Sequence, residues 1–251
     1  MPGPSTRGHT LSHRAQSLLY RAVQRAFVCD VTRLMVLDSF DVQSPSVGRQ
    51  FEFCFLSSGD VEIHAADAVN GLSRSLADRL VAGQDLCYAA TAGDKMACYA
   101  WLALGSIEAT HNSGRTPSSG VAASFPPTAA FVYKAFTRPE FRGHRLYAAV
   151  LARVLAELSS RGITHLITTA EWNNLSALSA AQHLGFQDLG SITRIACGPF
   201  ATTITPSAAS EFGIRLGRKA QVVTRIVVPR PHLVGAVPTE RTLSALATLE
   251  N

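Results

Sequence analysis

Apolar positions along the chain recur at two spacings, every second residue and every third or fourth. VTRLMVLDS and RQFEFCFLSS read as strands, the second with Phe51, Phe53 and Phe55 alternating. Ser58 to Asp60 (SGD) reads as a turn. Asp67 to Ala82 reads as a helix with Val69, Leu72, Leu76, Leu80 and Val81 on one face. LCYAATAGDKMACYAWLALGSIEA predicts a hairpin turning at Gly93 and Asp94. His111 to Pro127, rich in Ser, Gly and Pro, predicts a long structureless segment. AAFVYKAFT then reads as a strand. After Gly143 comes a helix with Leu146, Val150, Val154 and Leu158 spaced by four, and Tyr147, Leu151 and Leu155 alongside. THLITTAEW (strand), NLSALSAAQHLGF (helix) and QDLGSITRIACG (strand) complete a βαβαβ order. That order calls for a right-handed crossover and at least one parallel strand pair.

The ends of the chain carry weaker patterns. Ala15, Leu18, Leu19, Ala22, Val23, Ala26 and Phe27 form an apolar stripe, the mark of an amphipathic helix packed on the domain. The same segment has several arginines and no acid before Asp30, the composition of a mitochondrial transit helix. QVVTRIVV reads as a late strand and ERTLSALATLE as a terminal helix. The expected division is a disordered N-terminus over 1–12, a helix and lead-in over 13–48, an α/β core over 49–197 and a C-terminal extension over 198–251 with no assigned chemistry.

With 47% apolar and 16% charged residues in 251, the chain reads as a soluble globular protein. Its net charge of +5 allows an acidic ligand, but the basic residues are dispersed. Neither a basic stripe nor interleaved aromatics point to nucleic acid. Arginine outnumbers lysine, which suits bidentate phosphate contacts and equally a GC-rich genome. Cys29, Cys54, Cys87, Cys98 and Cys197 are odd in number, lack a CxxC pair and mostly sit in apolar runs, as reduced thiols do. The histidines lack metal-ligand spacing, and no apolar stretch is long enough to span a bilayer. A cytoplasmic location follows, with the mitochondrial matrix as the alternative set by the N-terminus.

The chemistry begins at RPEFRGHRLYAAV, from Arg138. A strand feeds a helix through Arg142, Gly143, His144 and Arg145. The first turn of such a helix presents unpaired N–H groups and the positive end of its dipole, where a phosphate or diphosphate is held. Thr137, Arg138, Pro139, Arg142 and Gly143 keep the register of V-x-P-x-x-R-G-x-G-h-G. Arg145 stands at the central Gly of that pattern and Tyr147 at the last small residue. Both can still be right-handed helical, a conformation open to any residue, with side chains turned away or replacing part of the phosphate contact. ITTAEWNNLSALSAAQHLGF adds a strand–Asn–helix–LGF block through Asn174, Ala177 and Leu184 to Phe186. On these two blocks and the order of elements, Phe51 to Cys197 resembles the GNAT superfamily of acyl-CoA-dependent N-acyltransferases.

The resemblance implies a mixed, centrally splayed β-sheet flanked by helices. It implies acetyl-CoA or another acyl-CoA as co-substrate and no metal. Backbone of Ala135, Phe136 and Thr137 would hold the pantetheine arm. Arg142, Gly143, His144, Arg145, Leu146 and Tyr147 would surround the phosphates, and Asn174 would cap the second helix or touch the arm. The acyl group would pass to a primary amine by direct attack on the thioester, with a homodimer open as an assembly. The Tyr that relatives place four residues before the LGF glycine is Ala181 here, and the strand position of a Glu base is Phe131. Candidates for the base are Glu171, then Glu108, followed by His111, Tyr133 and His183. Alternatives are an acyl-CoA-binding sensor or partner-binding module with little turnover, and long-chain transfer of the N-acyl amino acid synthase kind. The acceptor, expected over 111–127 and 67–82, would be a small amine, an amino acid or an amino sugar.

Overall fold

The computed structural model describes residues 28–42, 44–112, 120–197 and 200–217. The expected N-terminal helix, the 221–228 strand and the terminal helix lie outside the described residues. An eight-stranded mixed sheet runs in the order β10-β9-β1-β8-β7-β4-β3-β2. Its strands are β1 (Val28–Asp38), β2 (Glu52–Phe55), β3 (Asp85–Ala92), β4 (Lys95–Leu104), β7 (Ala129–Thr137), β8 (His165–Glu171), β9 (Gln187–Cys197) and β10 (Phe200–Ile204). β5 (Ser106–Ile107), β6 (Ala122–Ser124) and β11 (Arg215–Gly217) form a small second sheet. The helices are α1 (Ser58–Ala65), α2 (Arg74–Val81), α3 (Leu146–Ser159), α4 (Leu175–Leu184) and α5 (Ala208–Glu211).

Alternation along the strands sorts the core into two layers. From β4, Cys98, Ala100 and Leu102 point to one face, where they meet Leu146, Val150 and Leu158 of α3 and Ala181 and Leu184 of α4. Tyr99 and Trp101 point to the other, onto Val61 of α1 and Leu76 of α2. Ala103 and Phe131 share that second face with Ile107, Ala123 and Ile214 around the small sheet.

Four sequence expectations change. Ser58 to Asp60 is the first turn of α1, because Ser57 and Asp60 close a capping box. Asp67 to Ala82 is two pieces: a 3₁₀ turn at Ala68–Asn70 and then α2, separated by Gly71 at φ 59°. The long segment after His111 contains β6, paired with β5 and β11. Residues 28–38 take in the strand read over VTRLMVLDS, but the stretch set outside the core as a lead-in supplies β1 to the interior of the main sheet, antiparallel to both β8 and β9. Consecutive β8 and β9 are thereby kept apart.

Candidate active site

β7 and β8 are parallel and pair from Ala129–His165 to Val132–Thr168, where pairing ends. β7 nevertheless continues to Thr137 and β8 to Glu171. On its other edge β7 stays paired with β4 as far as Thr137–Cys98, with one irregularity: Trp101 faces Lys134 while Leu102 faces Val132. Tyr133 is thus the extra residue of a bulge, which bends the strand. It pairs with neither neighbour, at the point where the parallel strands part. The Thr168 hydroxyl donates to the Val132 carbonyl at 3.0 Å and fastens the fork. Beyond it the gap-side backbone groups of β7 face a cavity of about 530 Å³ instead of a strand.

The cavity passes through the sheet. Tyr147 and Ala177 line it on the α3 and α4 face, and Ala135, Phe136 and Thr137 line its β7 wall. Asn174 stands at the same mouth, where its Oδ1 caps α4 by accepting from the Ala177 N–H at 3.2 Å. Glu171 lines the cavity from the end of β8. By alternation it lies on the face of Ile167 and Thr169, opposite α3. Thr169 donates to Asn112 Oδ1 at 3.3 Å, which fixes the 108–112 turn as a wall. Asp30 of β1, 5% exposed, also lines the cavity. No periodic signal marked Asp30 in the sequence, because its approach depends on where β1 inserts.

At the loop before α3, Arg142, Gly143, His144 and Arg145 are exposed and Leu146 is buried. Gly143 has φ 85°. Arg145 is the helix N-cap at φ 57° and ψ 21°, and among the described residues it alone is a non-glycine with positive φ. The right-handed expectation for Arg145 is corrected: the backbone keeps the conformation that favours Gly, with an arginine in it. No side chain caps α3 and no acid lies in its first turn. Its leading N–H groups are therefore available to an anion. The loop is braced from behind. Arg138, buried, pairs with Asp67 and Glu140 and donates to Asn70 Oδ1 at 3.0 and 3.2 Å. Phe51 packs edge-on against both Phe141 and His144, each at 5.9 Å between ring centres.

The proton-carrying candidates are spread more widely. Glu108 is exposed on the turn after β5 and does not line the cavity. His183 sits on α4, its Nδ1 2.9 Å from the Ser179 carbonyl, also away from the cavity. His111 packs its ring on Tyr133, and burial, then Arg79, lowers its pKa below the usual 6.5. Burial, then Asp85, pushes the Tyr133 phenol well up, so it is a donor at neutral pH. Burial, then nearby Cys98, pushes the Tyr147 phenol up to about 12. Among the described residues no three of His, Cys, Asp or Glu stand together as metal ligands would. None of the described helices is long and apolar enough to cross a membrane.

No family model matches the chain, and no curated protein does. Solved structures of similar fold are found. A GNAT-family protein from Novosphingobium aromaticivorans shares 20% identity over 72% of this chain and 67% of its own, at TM-score 0.46. A GCN5-related N-acetyltransferase from Kribbella flavida shares 14% over 73% and 64%, at TM-score 0.49. A Clostridium acetobutylicum protein solved with acetyl-CoA shares 17% over 55% and 90%, at TM-score 0.37. The chain spans about two thirds of the length of the first two. At these identities and TM-scores the likeness decides nothing further, and the activity is left to the site.

Proposed function

We propose that the protein is an acyl-CoA-dependent N-acyltransferase that moves an acetyl or longer acyl group to a primary amine. One observation carries this reading. A parallel strand pair parts at Val132 and Thr168, and Tyr147, in the uncapped first turn of α3, lines the cavity so opened, while Arg142 to Leu146 lie outside its lining. The diphosphate of coenzyme A sits against the N–H groups of 146–148 and the side chains of Arg142 and Arg145. The pantetheine arm lies along β7 at 134–137, bonding backbone groups that lack a strand partner. The thioester lies at the fork and the amine reaches it from the face of Glu171.

The neutral amine attacks the thioester carbon. The C=O pair moves onto oxygen, and a β7 N–H beside the bulge stabilises that oxyanion by on the order of 3 kcal/mol. The tetrahedral intermediate collapses, the C–S bond breaks and CoA leaves as the thiolate. The attacking nitrogen gives up one proton, which Glu171 accepts directly or through a water, and the thiolate takes a proton. Holding amine and thioester together in the gap supplies much of the remaining acceleration.

A second reading, an acyl-CoA-binding sensor without turnover, is favoured by Ala181 and Phe131. Both are fully buried apolar residues where the resemblance expects a proton donor and a base. Acetyl-CoA with a panel of primary amines, followed by free thiol, tests the two. Thiol release that depends on an amine supports the transferase. Binding of acetyl-CoA with no thiol release on any amine supports the sensor.

A further inference from the structure

The proposed transfer leaves one buried ionic cluster without a role. Asp85 opens β3 with its side chain fully buried. Arg79 of α2 grips it twice, Nε to Oδ2 and Nη2 to Oδ1, each at 2.7 Å. Tyr133 donates its hydroxyl to the same Oδ2 at 2.5 Å. The Arg79 guanidinium lies 5.9 Å from the centre of the Tyr133 ring, and the His111 ring meets that ring edge-on at 6.3 Å. A buried ion pair is a weak source of stability, because desolvating both charges offsets their attraction, and apolar side chains of equal volume often do as well. What the cluster supplies is direction. It ties α2, β3 and β7 through one carboxylate, and the β7 residue it ties is the one that pairs with neither β4 nor β8.

We propose that Asp85, clamped by Arg79, anchors Tyr133 away from the β7–β8 ladder and so holds open the gap that takes the pantetheine arm. Tyr133 and Asp85 are then positioning residues. They act through the bulge, which sets the gap's width and the aim of the β7 N–H groups beyond it. The inference rests on the acyl-CoA reading of the gap. Without the hydroxyl the bulge loses its tether, and residues 133–136 are expected to close toward β8 and extend the ladder that ends at Val132 and Thr168. The phosphate end has its own supports: His144 contacts Phe141, Arg142 and Phe51, and Arg142 donates to the carbonyl of Thr137, which stays paired with Cys98 of β4, so none of these contacts goes to the cluster.

Calorimetric titration of the wild type and of Tyr133→Phe with two ligands tests this. Acetyl-CoA carries the arm; 3′-phospho-ADP carries the phosphates and lacks it. Loss of a hydrogen bond to a charged group is expected to weaken acetyl-CoA about tenfold while 3′-phospho-ADP stays within twofold. Asp85→Asn, which keeps an acceptor for the hydroxyl but breaks the ion pair, is expected to shift in the same sense. Equal weakening of both ligands, or affinities unchanged beside a lowered melting temperature, overturns the proposal and leaves the cluster a purely structural one. Should Asp85→Asn fail to fold, Tyr133→Phe alone decides. If neither ligand binds the wild type, the acyl-CoA reading falls and this inference with it, a result distinct from selective failure in the variant.

Discussion

Arg145 holds a left-handed backbone conformation that costs an L-residue on the order of 1 kcal/mol, at a position where the sequence pattern expects Gly. A strained arginine at the mouth of an uncapped helix is consistent with a side chain that serves a bound anion. Arg145→Gly is therefore expected to leave stability unchanged or raise it by up to about 1 kcal/mol while weakening acyl-CoA binding several-fold. Thermal unfolding beside calorimetry reads both effects, and unchanged affinity marks a merely solvated side chain. Glu171 was legible from its place at the end of a strand and lines the cavity. Glu171→Gln is expected to lower kcat with little change in KM, and an unaffected rate removes it as the base. Two features escaped the sequence for opposite reasons. The conformation of Arg145 was hidden because any residue can be drawn right-handed on paper. The approach of Asp30 was hidden because strand insertion is a long-range event.

The strands and helices that build the fork were legible in the sequence: β7, β8, α3 and α4 fall within the segments read for them, α3 from its four-residue spacing. α1 was not, since Val61 is its one buried residue and no apolar stripe could mark it. Its signal was the Ser57–Asp60 box, masked by the Gly between them. The LGF glycine, read as a motif, has a physical reason. Gly185 ends α4 at φ 106°, and a Cβ there would meet the Asp41 carbonyl oxygen at 2.5 Å. Strain and a backbone clash together make Gly185→Ala expected to cost about 3 kcal/mol, measured by urea unfolding. A loss under about 0.5 kcal/mol would show that the link after β1 yields freely.

Over the molecule, the sheet brings together groups that are far apart in the chain. β1 closes the far side of the fork by pairing with β8, and so sets Thr32 beside Glu171. Opposite it, Arg79, Asp85 and Tyr133 join α2, β3 and β7 at the bulge. Both sides of the gap are thus backed by a strand ladder, β1 on β8 and β4 on β7, and the β7 side carries a buried carboxylate at its bulge as well. The measurement that bears most directly on this arrangement is calorimetric titration of the folded protein with acetyl-CoA and with CoA. Saturable binding of one CoA per chain is the expected result, with the diphosphate at the start of α3 and the arm between β7 and β8. Folded protein that takes up neither ligand contradicts it.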